Sequence, residues 1–463
     1  MSEEGKKHVS IAICGTVDSG KSTTTGHLIY ALGGIPEREM QKLKDEAARV
    51  GKASFEFAFY MDRQKDERER GITIVTTVKE FFTPNYHFSV SDNPGHRDYI
   101  KNMITGSSQA DSALLLVPCD GNFEAAIAKE NRAEGITQGQ SRQHARLLNL
   151  LGVKQLIVGL NKMDSEAAKF SQERYTEVRD ETKRMLIQVG WNKKFVEENV
   201  AFIPYSGYKG DNLIKKSENM PWWNGVDIKA LDDSTAHIET IFDALDKYIK
   251  IPPRKDNVPY RVPISGVHNI KGVGMIVTGR VEQGVVNQGD EVVFVPTHTA
   301  SNPCTGKVFS IEMHHRSIPK AETGDNVGMS IKGLNKDYLP KPGDIMILKK
   351  DTSLAPVKQF TAQVQVLDHP GELKPGYTPI VFCRTAKCAC RMEKINWKMG
   401  KETGGKKVEN PVSLKSNEMA EVVFKPMQPF TCEAFSKFES GLARIALMDS
   451  NSAVMLGKVT AAE

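Results

Sequence analysis

The sequence has few cysteines and no long apolar run. Seven of its 463 residues are cysteine, and their odd number and irregular spacing do not form a disulfide framework of the kind found in small secreted domains. No stretch of about eighteen consecutive apolar residues occurs, so no membrane-spanning helix is expected. Residues 1–8 lack the apolar core of a secretory signal. We therefore expect a cytoplasmic protein with no membrane partner.

Strong charge of either sign is also absent. The net charge is +5, and hydrophobic residues make up 40% of the chain. This mildly basic balance permits a nucleic-acid partner without requiring one. The length suffices for about three domains of ordinary size.

The first half of the chain alternates short apolar runs with helical patterns. Strands are predicted at residues 9–14, 88–91, 112–118, 155–160 and 201–205. The main helices are predicted at residues 21–32, 141–151 and 166–189. Such alternation is typical of a parallel-rich α/β sheet with helices on both faces.

The pattern changes at residues 251–259, where three prolines stand among charged residues. Beyond this linker, short β-branched runs alternate with frequent glycine-containing turns, which favours β-barrels. The predicted domains are residues 1–250, an α/β nucleotide-binding domain, followed by two β-barrels at residues 251–353 and 354–463.

One segment fits the phosphate-loop pattern G-x-x-x-x-G-K-[ST] and lies between a predicted strand and a predicted helix. The loop and the residue after it are Gly15, Thr16, Val17, Asp18, Ser19, Gly20, Lys21, Ser22 and Thr23. Gly15 and Gly20 allow close backbone approach to phosphates, and Lys21 supplies a positive charge. Ser22 offers a hydroxyl to Mg²⁺.

Two further segments are candidates for sensing the γ-phosphate. Asp92 and Gly95 fit D-x-x-G after a strand, with the Asp92 carboxylate near Mg²⁺ and the Gly95 N–H near the phosphate. Thr73 can bind Mg²⁺ through its hydroxyl, and hydrolysis would then release its segment. The residues alone equally allow Thr73 to be a β-branched strand residue.

A second motif specifies the base. Asn161, Lys162 and Asp164 fit N-K-x-D after a buried strand. The Asp164 carboxylate can accept hydrogen bonds from N1–H and the N2 amine of guanine, and adenine offers neither donor. Such a site rejects the wrong base by roughly 10⁴. Ser206, Gly207 and Tyr208 follow the next strand and form the candidate contact to guanine O6. GTP or GDP is therefore the predicted ligand.

His96 follows Gly95 directly and is the candidate for orienting the attacking water in phosphoryl transfer. No arginine finger can be assigned, because ordinary solvated charge explains Arg68, Arg70 and Arg97 equally well. The expected intrinsic hydrolysis is therefore slow and needs an external activator.

With these motifs, the chain resembles translational GTPases of the elongation factor 1-alpha group along essentially its whole length. The matching words are GTVDSGKSTTTG at 15–26, DERERGITI at 66–74, DNPGHRDYIKNMITG at 92–106, GRVE at 279–282 with Gly284, SIEMHH at 310–315 and GDNVG at 324–328. Within the group it is similar to the elongation factor-like (EFL) branch. The words that carry this finer likeness are DGNF at 120–123, GQSRQHARL at 139–147, LLGVKQLI at 150–157 and GDNLIKKS at 210–217.

The resemblance implies a G domain and two β-barrels that deliver aminoacyl-tRNA to the ribosomal A site in the GTP form, with hydrolysis triggered by the ribosome. It implies that His96 is catalytic, that Val17 and Ile72 form an apolar gate beside it, and that Thr73 is a switch residue. We also expect a guanine-nucleotide exchange factor as a partner, and a monomeric chain.

The chain departs from the group at three positions near the nucleotide motifs. Thr16 stands where many elongation factors have His, Val75 where Asp or Asn is usual, and Asn93 where Ala is usual. Two of these positions adjoin the gate and the metal-binding loop. They put the rate of hydrolysis and its regulation in question, and not the binding of GTP.

Further candidates lie outside these loops. A basic stretch at 384–407 includes Trp397 and is a candidate RNA contact or a solvated face, and Arg280 and Glu282 are candidates near the pocket for the aminoacylated 3′ end. Cys388 and Cys390, with Cys383 nearby, are predicted to be buried packing rather than zinc ligands. His314 and His315 are a poor metal pair, and Trp222 and Trp223 are predicted to be a packing anchor.

Three other functions compete with delivery of aminoacyl-tRNA. A termination or ribosome-rescue paralogue usually carries a long extension before the G domain, whereas the first predicted strand here begins near Val9. The GTPase subunit of a sulfate-activating enzyme shares the architecture, but the matching words in the barrels disfavour it. A module that binds GTP without hydrolysing it is left open by Thr16 and Asn93.

Overall fold

The computed structural model describes residues 6–62, 64–107, 110–129, 138–313, 316–367, 369, 371–437, 441–449 and 452–463. The chain divides into two compact units, the first ending at Pro252 and the second beginning at Pro253. No helix in these residues is long and apolar enough to cross a membrane.

The first unit contains a six-stranded sheet and a separate hairpin. Its strands are β1 (Lys7–Gly15), β2 (Thr77–Phe82), β3 (Tyr86–Asp92), β4 (Ser112–Pro118), β5 (Leu156–Asn161), β6 (Ala201–Pro204), and the hairpin β7 (Val226–Lys229) and β8 (Thr235–Ile238). The sheet order is β2-β3-β1-β4-β5-β6, and only β2 runs antiparallel to its neighbour. The parallel strands are almost wholly buried, as their continuous apolar runs predict.

Helices connect these strands. They are α1 (Lys21–Ala31), α2 (Glu37–Arg49), α3 (Glu56–Met61), α4 (Lys65–Arg70), α5 (Ile100–Ser107), α6 (Phe123–Ile127), α7 (Gln140–Leu151), α8 (Gln172–Gln188), α9 (Lys193–Glu198) and α10 (Ile241–Asp243), which continues as a π-helical turn at Ala244–Tyr248. Short 3₁₀ turns occur at Ala53–Phe55 and Arg97–Tyr99. After β1 the chain forms β2 and β3 on one side of β1, and then crosses to form β4 on its other side. The loop after β1 therefore lies where the strand order reverses. Open α/β sheets bind ligands at this position.

The helix predicted to begin at residue 166 begins at Gln172. Lys169 and Phe170 have positive φ angles of 46° and 56°, which a helix cannot contain. Ser171 then caps the helix, because its hydroxyl accepts a hydrogen bond from the Arg174 N–H. The prediction was therefore six residues too early at this end.

The second unit contains two closed six-stranded β-barrels. The strands of the first region are β9 (Val262–Ile270), β10 (Gly274–Arg280), β11 (Val286–Asn287), β12 (Glu291–Val295), β13 (Thr305–Met313), β14 (Arg316–Ile318), β15 (Lys320–Ala321), β16 (Asn326–Lys332) and β17 (Ile345–Leu348). Those of the second region are β18 (Phe360–Val366), β19 (Ile380–Cys383), β20 (Ala386–Met399), β21 (Val408–Glu409), β22 (Met419–Pro426), β23 (Arg444–Asp449) and β24 (Ser452–Ala462), with a 3₁₀ turn at Gly441–Ala443.

Both barrels close by pairing their first and last ring strands. The first ring is β12-β17-β9-β10-β16-β13, closed by β12 on β13, and the second is β19-β23-β24-β18-β22-β20, closed by β19 on β20. Strict alternation along β18 places Phe360, Ala362, Val364 and Val366 in the second core. The predicted fold class, an α/β nucleotide-binding domain followed by two β-barrels, is confirmed. The domain limits at 250/251 and 353/354 stay a prediction.

Buried ion pairs join the two barrels of the second unit. The guanidinium of Arg261 is fully buried and contacts Asp351 at 2.6 Å and Glu433 at 3.2 Å. Arg384 contacts Glu282 at 2.7 Å, and both side chains are largely buried. Removing one partner from such a pair leaves an uncompensated charge away from water.

We therefore expect Arg261→Met to destabilise the second unit by about 3 kcal/mol. Hydrogen exchange of β9 and β18 peptides, measured by mass spectrometry in the full chain, reports the loss. The matched control is Lys349→Met, which removes an exposed pair with Glu291 and should cost less than about 1 kcal/mol. Equal effects of the two substitutions would contradict the assigned role of Arg261.

Candidate nucleotide site

A cleft of about 540 Å³ opens among the loops that follow the strands of the first unit. Its predicted lining residues are Val17, Asp18, Gly20, Lys21, Ser22, Thr23, Ile72, Thr73, Gly95, His96, Asn161, Lys162, Asp164 and Tyr208. Six other predicted site residues lie in the supporting loops and do not line the cleft: Gly15, Thr16, Ser19, Asp92, Ser206 and Gly207. Segments separated by up to about 190 residues in the chain thus meet at one site.

The phosphate loop turns tightly between β1 and α1. Gly20 has φ 88°, a left-handed conformation, and a side chain there would overlap the amide nitrogen of Asn161. The Lys21 ammonium is buried and donates to the carbonyl of Thr16 at 2.8 Å. Burial lowers the pKa of Lys21, because charge is costly to desolvate. The carboxylates of Asp92 and Asp62 offset part of this effect, and a bound phosphate would add further compensating negative charge.

Helix α7 supports the phosphate loop from behind, which sequence reasoning missed. The side-chain oxygen of Gln140 accepts from the Thr16 hydroxyl at 3.0 Å and from the Val17 N–H at 3.2 Å. His144 is fully buried and accepts from the Gly15 N–H at 3.1 Å. Burial lowers the pKa of His144 to about 3, so this imidazole is neutral. Polar residues on one face at the start of a predicted helix were the only available signal.

One corner of the cleft gathers oxygen atoms. The hydroxyls of Ser22 and Thr73 lie 3.1 Å apart, and the Thr73 hydroxyl donates to Asp62 at 3.1 Å. Asp92 is fully buried, and neither carboxylate oxygen has a hydrogen-bond partner among the described residues. Hydroxyl and carboxylate oxygens are the ligands that hard divalent cations prefer. The donor set, with its orphaned carboxylate, fits Mg²⁺.

Asp62 is a second site residue that sequence reasoning missed. Burial raises the pKa of Asp62 to about 7 and that of Asp92 to about 6, and the charge of Asp92 adds to the shift at Asp62. The one available signal was an acidic residue shortly before the Thr73 segment. Two carboxylates converge on this corner, with Lys21 as the nearby cation.

The segment that carries Thr73 is a loop, and β2 begins only at Thr77. The buried carboxylate of Glu67 holds this loop by accepting from the N–H groups of Ile74 at 2.9 Å and Val75 at 3.0 Å. Thr73 is therefore not a strand residue here. Its hydroxyl is directed to the oxygen-rich corner by contacts on both sides.

Asn161 joins the two ends of the site. Its amide donates to the Ser19 carbonyl at 2.8 Å and its side-chain oxygen accepts from the Gly207 N–H at 2.8 Å. The Lys162 ammonium contacts Asp120 at 2.8 Å, which holds its stem across the cleft wall. Asp164 and Tyr208 line the adjacent part of the cleft. This arrangement leaves the Asp164 carboxylate available to a base.

His96 lies at the rim of the cleft with Val17 and Ile72. Its side chain is 38% exposed, and Nδ1 accepts from the Asp98 N–H at 3.2 Å. Arg68 bonds to Glu46 at 2.6 Å and to two backbone carbonyls, so its guanidinium is occupied in the structure. Arg70 is exposed, and the side chain of Arg97 lies outside the described residues.

The cysteine and tryptophan candidates lie in packed positions. Cys388 and Cys390 are buried on one face of β20, and no group of three or more His, Cys, Asp or Glu side chains that could hold a metal ion occurs among the described residues. Trp222 and Trp223 donate to the carbonyls of Phe170 and Glu239. His314 and His315 lie outside the described residues.

The basic stretch at 384–407 is partly neutralised by carboxylates. Its paired cations are Arg384, Arg391, Lys398 and Lys407. Lys407 also lies over the ring of Trp397, 4.9 Å from its centroid. Arg280 is buried and donates to the Gly324 carbonyl at 3.3 Å. Glu282 lies in the pair with Arg384 between the barrels.

Comparison with protein families gives three matches that together span most of the chain. Residues 6–251 match the elongation factor Tu GTP binding domain, residues 274–347 match elongation factor Tu domain 2, and residues 359–460 match the GTP-eEF1A C-terminal domain-like family.

Relatives match over nearly the full length. Elongation factor 1-alpha of Onchocerca volvulus is 41% identical over 456 residues, covering 98% of this chain and 94% of the relative. Elongation factor 1-alpha of Desulfurococcus mucosus is 41% identical over 460 residues, covering 99% and 97%. The GTP-bound Ski7 GTPase-like domain of S. cerevisiae has a TM-score of 0.76 at 18% identity, covering 98% and 97%, and shows the fold alone.

The raised pKa values of Asp62 and Asp92 predict that the free energy of unfolding of the first unit depends on pH. A carboxyl whose pKa is higher in the folded protein than its ordinary 3.8 stabilises the fold at low pH, and this contribution is lost as pH rises through 6 and 7. In nucleotide-free protein with EDTA, we therefore expect Asp92→Asn to raise the free energy of unfolding by about 3 kcal/mol at pH 8, and by only about 1 kcal/mol at pH 4.5.

Urea unfolding of the first unit at the two pH values measures this difference. The matched control is Asp45→Asn, which changes an exposed helical carboxylate and should give the same small effect at both. If Asp92→Asn raised the free energy of unfolding equally at both pH values, the raised pKa of Asp92 would not be the cause of the gain.

Proposed function

Because the chain belongs to the elongation factor 1-alpha family of translational GTPases, we propose that it delivers aminoacyl-tRNA to the ribosomal A site in its GTP form. It is a GTP-binding translation elongation factor and a GTPase. The observation that supports delivery most strongly is the likeness to elongation factor 1-alpha at 41% identity over nearly the whole chain, barrels included.

The site residues divide into three roles in this proposal. Asp164 reads guanine, while Asn161 holds its loop against the phosphate loop through the bonds to Ser19 and Gly207. Lys21 balances the β- and γ-phosphate charge from a buried position. The apolar side chains of Val17 and Ile72 at the rim keep water away from the γ-phosphate until hydrolysis is triggered.

Mg²⁺ supplies further positive charge to the phosphates when bound. Ser22 and Thr73 would hold it directly through their hydroxyls, and Asp92 and Asp62 would hold it through their carboxylates. The buried carboxylate of Asp92 supports this assignment, because neither of its oxygens has a hydrogen-bond partner among the described residues and both could accept a cation.

His96 orients the attacking water in this proposal. In the structure it lines the cleft, and its Nδ1 accepts a hydrogen bond from the Asp98 N–H at 3.2 Å. The described residues supply no arginine to the γ-phosphate, with Arg68 held by Glu46. With no arginine at the γ-phosphate among the described residues, we expect slow intrinsic turnover and an external activator, which the family resemblance identifies as the ribosome.

The remaining assignments complete the proposal. The chain belongs to the elongation factor-like branch on the words at 120–123, 139–147, 150–157 and 210–217. It acts in the cytoplasm as a monomer, with a guanine-nucleotide exchange factor as a partner, and its basic stretch at 384–407 contributes to tRNA binding. Termination or rescue and the sulfate-activating subunit remain the alternatives that the experiment separates.

The test follows GTP hydrolysis on poly(U)-programmed ribosomes with phenylalanyl-tRNA. We expect rapid hydrolysis only when GTP, ribosomes and charged tRNA are all present. His96→Ala should lower this rate by about 10²- to 10³-fold with unchanged GTP affinity, since only positioning of water is lost. His237→Ala, at an exposed histidine paired with Asp227, is the matched control.

Two results would contradict the proposal. Stimulation by ribosomes that is indifferent to charged tRNA would favour termination or rescue. Hydrolysis that needs no ribosome and is unchanged in His96→Ala would remove the role of that histidine.

A further inference from the structure

Asn93 is fully buried inside the D-x-x-G loop, between Asp92 and Gly95. Its side-chain amide donates to the carbonyls of Ile13 on β1 and Ser91 on β3, each at 3.2 Å. These two bonds fasten the loop to the ends of the central strands. An alanine, the usual residue in the family this chain resembles, could make neither.

The side-chain oxygen of Asn93 faces the Thr73 segment. The hydroxyl of Thr76 lies 3.3 Å from this oxygen and 3.2 Å from the carbonyl of Asn102, so its single hydrogen is shared between two acceptors. Asn102, on α5, donates in turn to the Ile74 carbonyl at 2.8 Å. Three polar side chains therefore join residues 74–76 to the D-x-x-G loop and the helix after it.

The packing around this contact fits it closely. A Cβ atom on Gly106 would overlap the side-chain oxygen of Asn93 and would come within 2.8 Å of the Thr76 methyl group. The glycine thus leaves the space that Asn93 and Thr76 occupy. The Asn93 end of the contact is fully buried and the Thr76 end is half-buried.

We propose that Asn93 is a positioning residue that links the two segments sensing the γ-phosphate. Through Thr76 it holds the Thr73 segment in the arrangement that places the Thr73 hydroxyl 3.1 Å from that of Ser22. This inference rests on the proposed role of Thr73 in binding Mg²⁺ and phosphate. GDP has no γ-phosphate, so the link favours GTP over GDP.

A purely structural role for Asn93 predicts a different result. Loss of its bonds would then lower stability and weaken both nucleotides alike. The readout must therefore be the ratio of the two affinities, measured with Mg²⁺ for a non-hydrolysable GTP analogue and for GDP.

We expect Asn93→Ala and Thr76→Val each to weaken the GTP analogue about 5-fold, the value of one hydrogen bond, with GDP affinity unchanged. Because both substitutions remove the same contact, the double variant should lose less than about 10-fold rather than about 25-fold. Thr76→Ser keeps the hydroxyl and should retain the wild-type ratio.

The matched control is Thr83→Val, which removes a buried hydroxyl that accepts from the Tyr86 N–H at the far end of the same hairpin. It should leave the ratio unchanged. Equal weakening of both nucleotides by Asn93→Ala, or losses that multiply in the double variant, would overturn the inference.

Thr73→Ala separates failure of this inference from failure of the function on which it rests. If Thr73→Ala lowers the ratio and the Asn93 and Thr76 variants do not, the link alone is overturned. If Thr73→Ala leaves the ratio unchanged, the proposed role of Thr73 fails and the link fails with it.

Discussion

A buried carboxylate without a hydrogen-bond partner governs the first unit of this protein. Asp92 ends strand β3 in a fully buried position, and neither of its carboxylate oxygens has a hydrogen-bond partner among the described residues. Leaving a charged group in this state costs several kcal/mol in an interior. The positive charge of Lys21 offsets part of this cost, although burial lowers the pKa of Lys21 as well. In the proposed function, a cation bound with its nucleotide would compensate both groups, which would couple ligand binding to stability at this corner.

The loops around that corner are held by groups remote in sequence. Glu67 holds the Thr73 segment through two backbone N–H groups, Gln140 and His144 support the phosphate loop, and Asn161 joins it to the base-reading loop. Each is a hydrogen bond in a low-dielectric setting, where such bonds are strong and costly to break. These bonds therefore fix the loops around the cleft relative to one another.

The contiguous motifs were predictable from the sequence because each puts its chemistry within a few residues: Lys21 after its glycines, Asp92 at a strand end, Asp164 after Asn161. The buried strands and the two barrels followed from apolar runs and turn spacing.

Four site residues could not be predicted from the sequence, because their roles depend on which loops meet in three dimensions. They are Asp62, Glu67, Gln140 and His144. The early start predicted for α8 had a local cause, the positive φ angles before Ser171. The buried pairs between the barrels, such as Arg261 with Glu433, carry no signal in a single sequence.

The central claim is that the nucleotide decides whether this chain holds aminoacyl-tRNA. Protection of the aminoacyl ester bond from spontaneous hydrolysis tests it most directly, with Mg²⁺ present and with GTP, GDP or no nucleotide added. We expect the ester to be protected with GTP and to hydrolyse at the unprotected rate with GDP, and we expect uncharged tRNA to compete weakly. Equal protection with both nucleotides, or none with GTP fully bound, would contradict it.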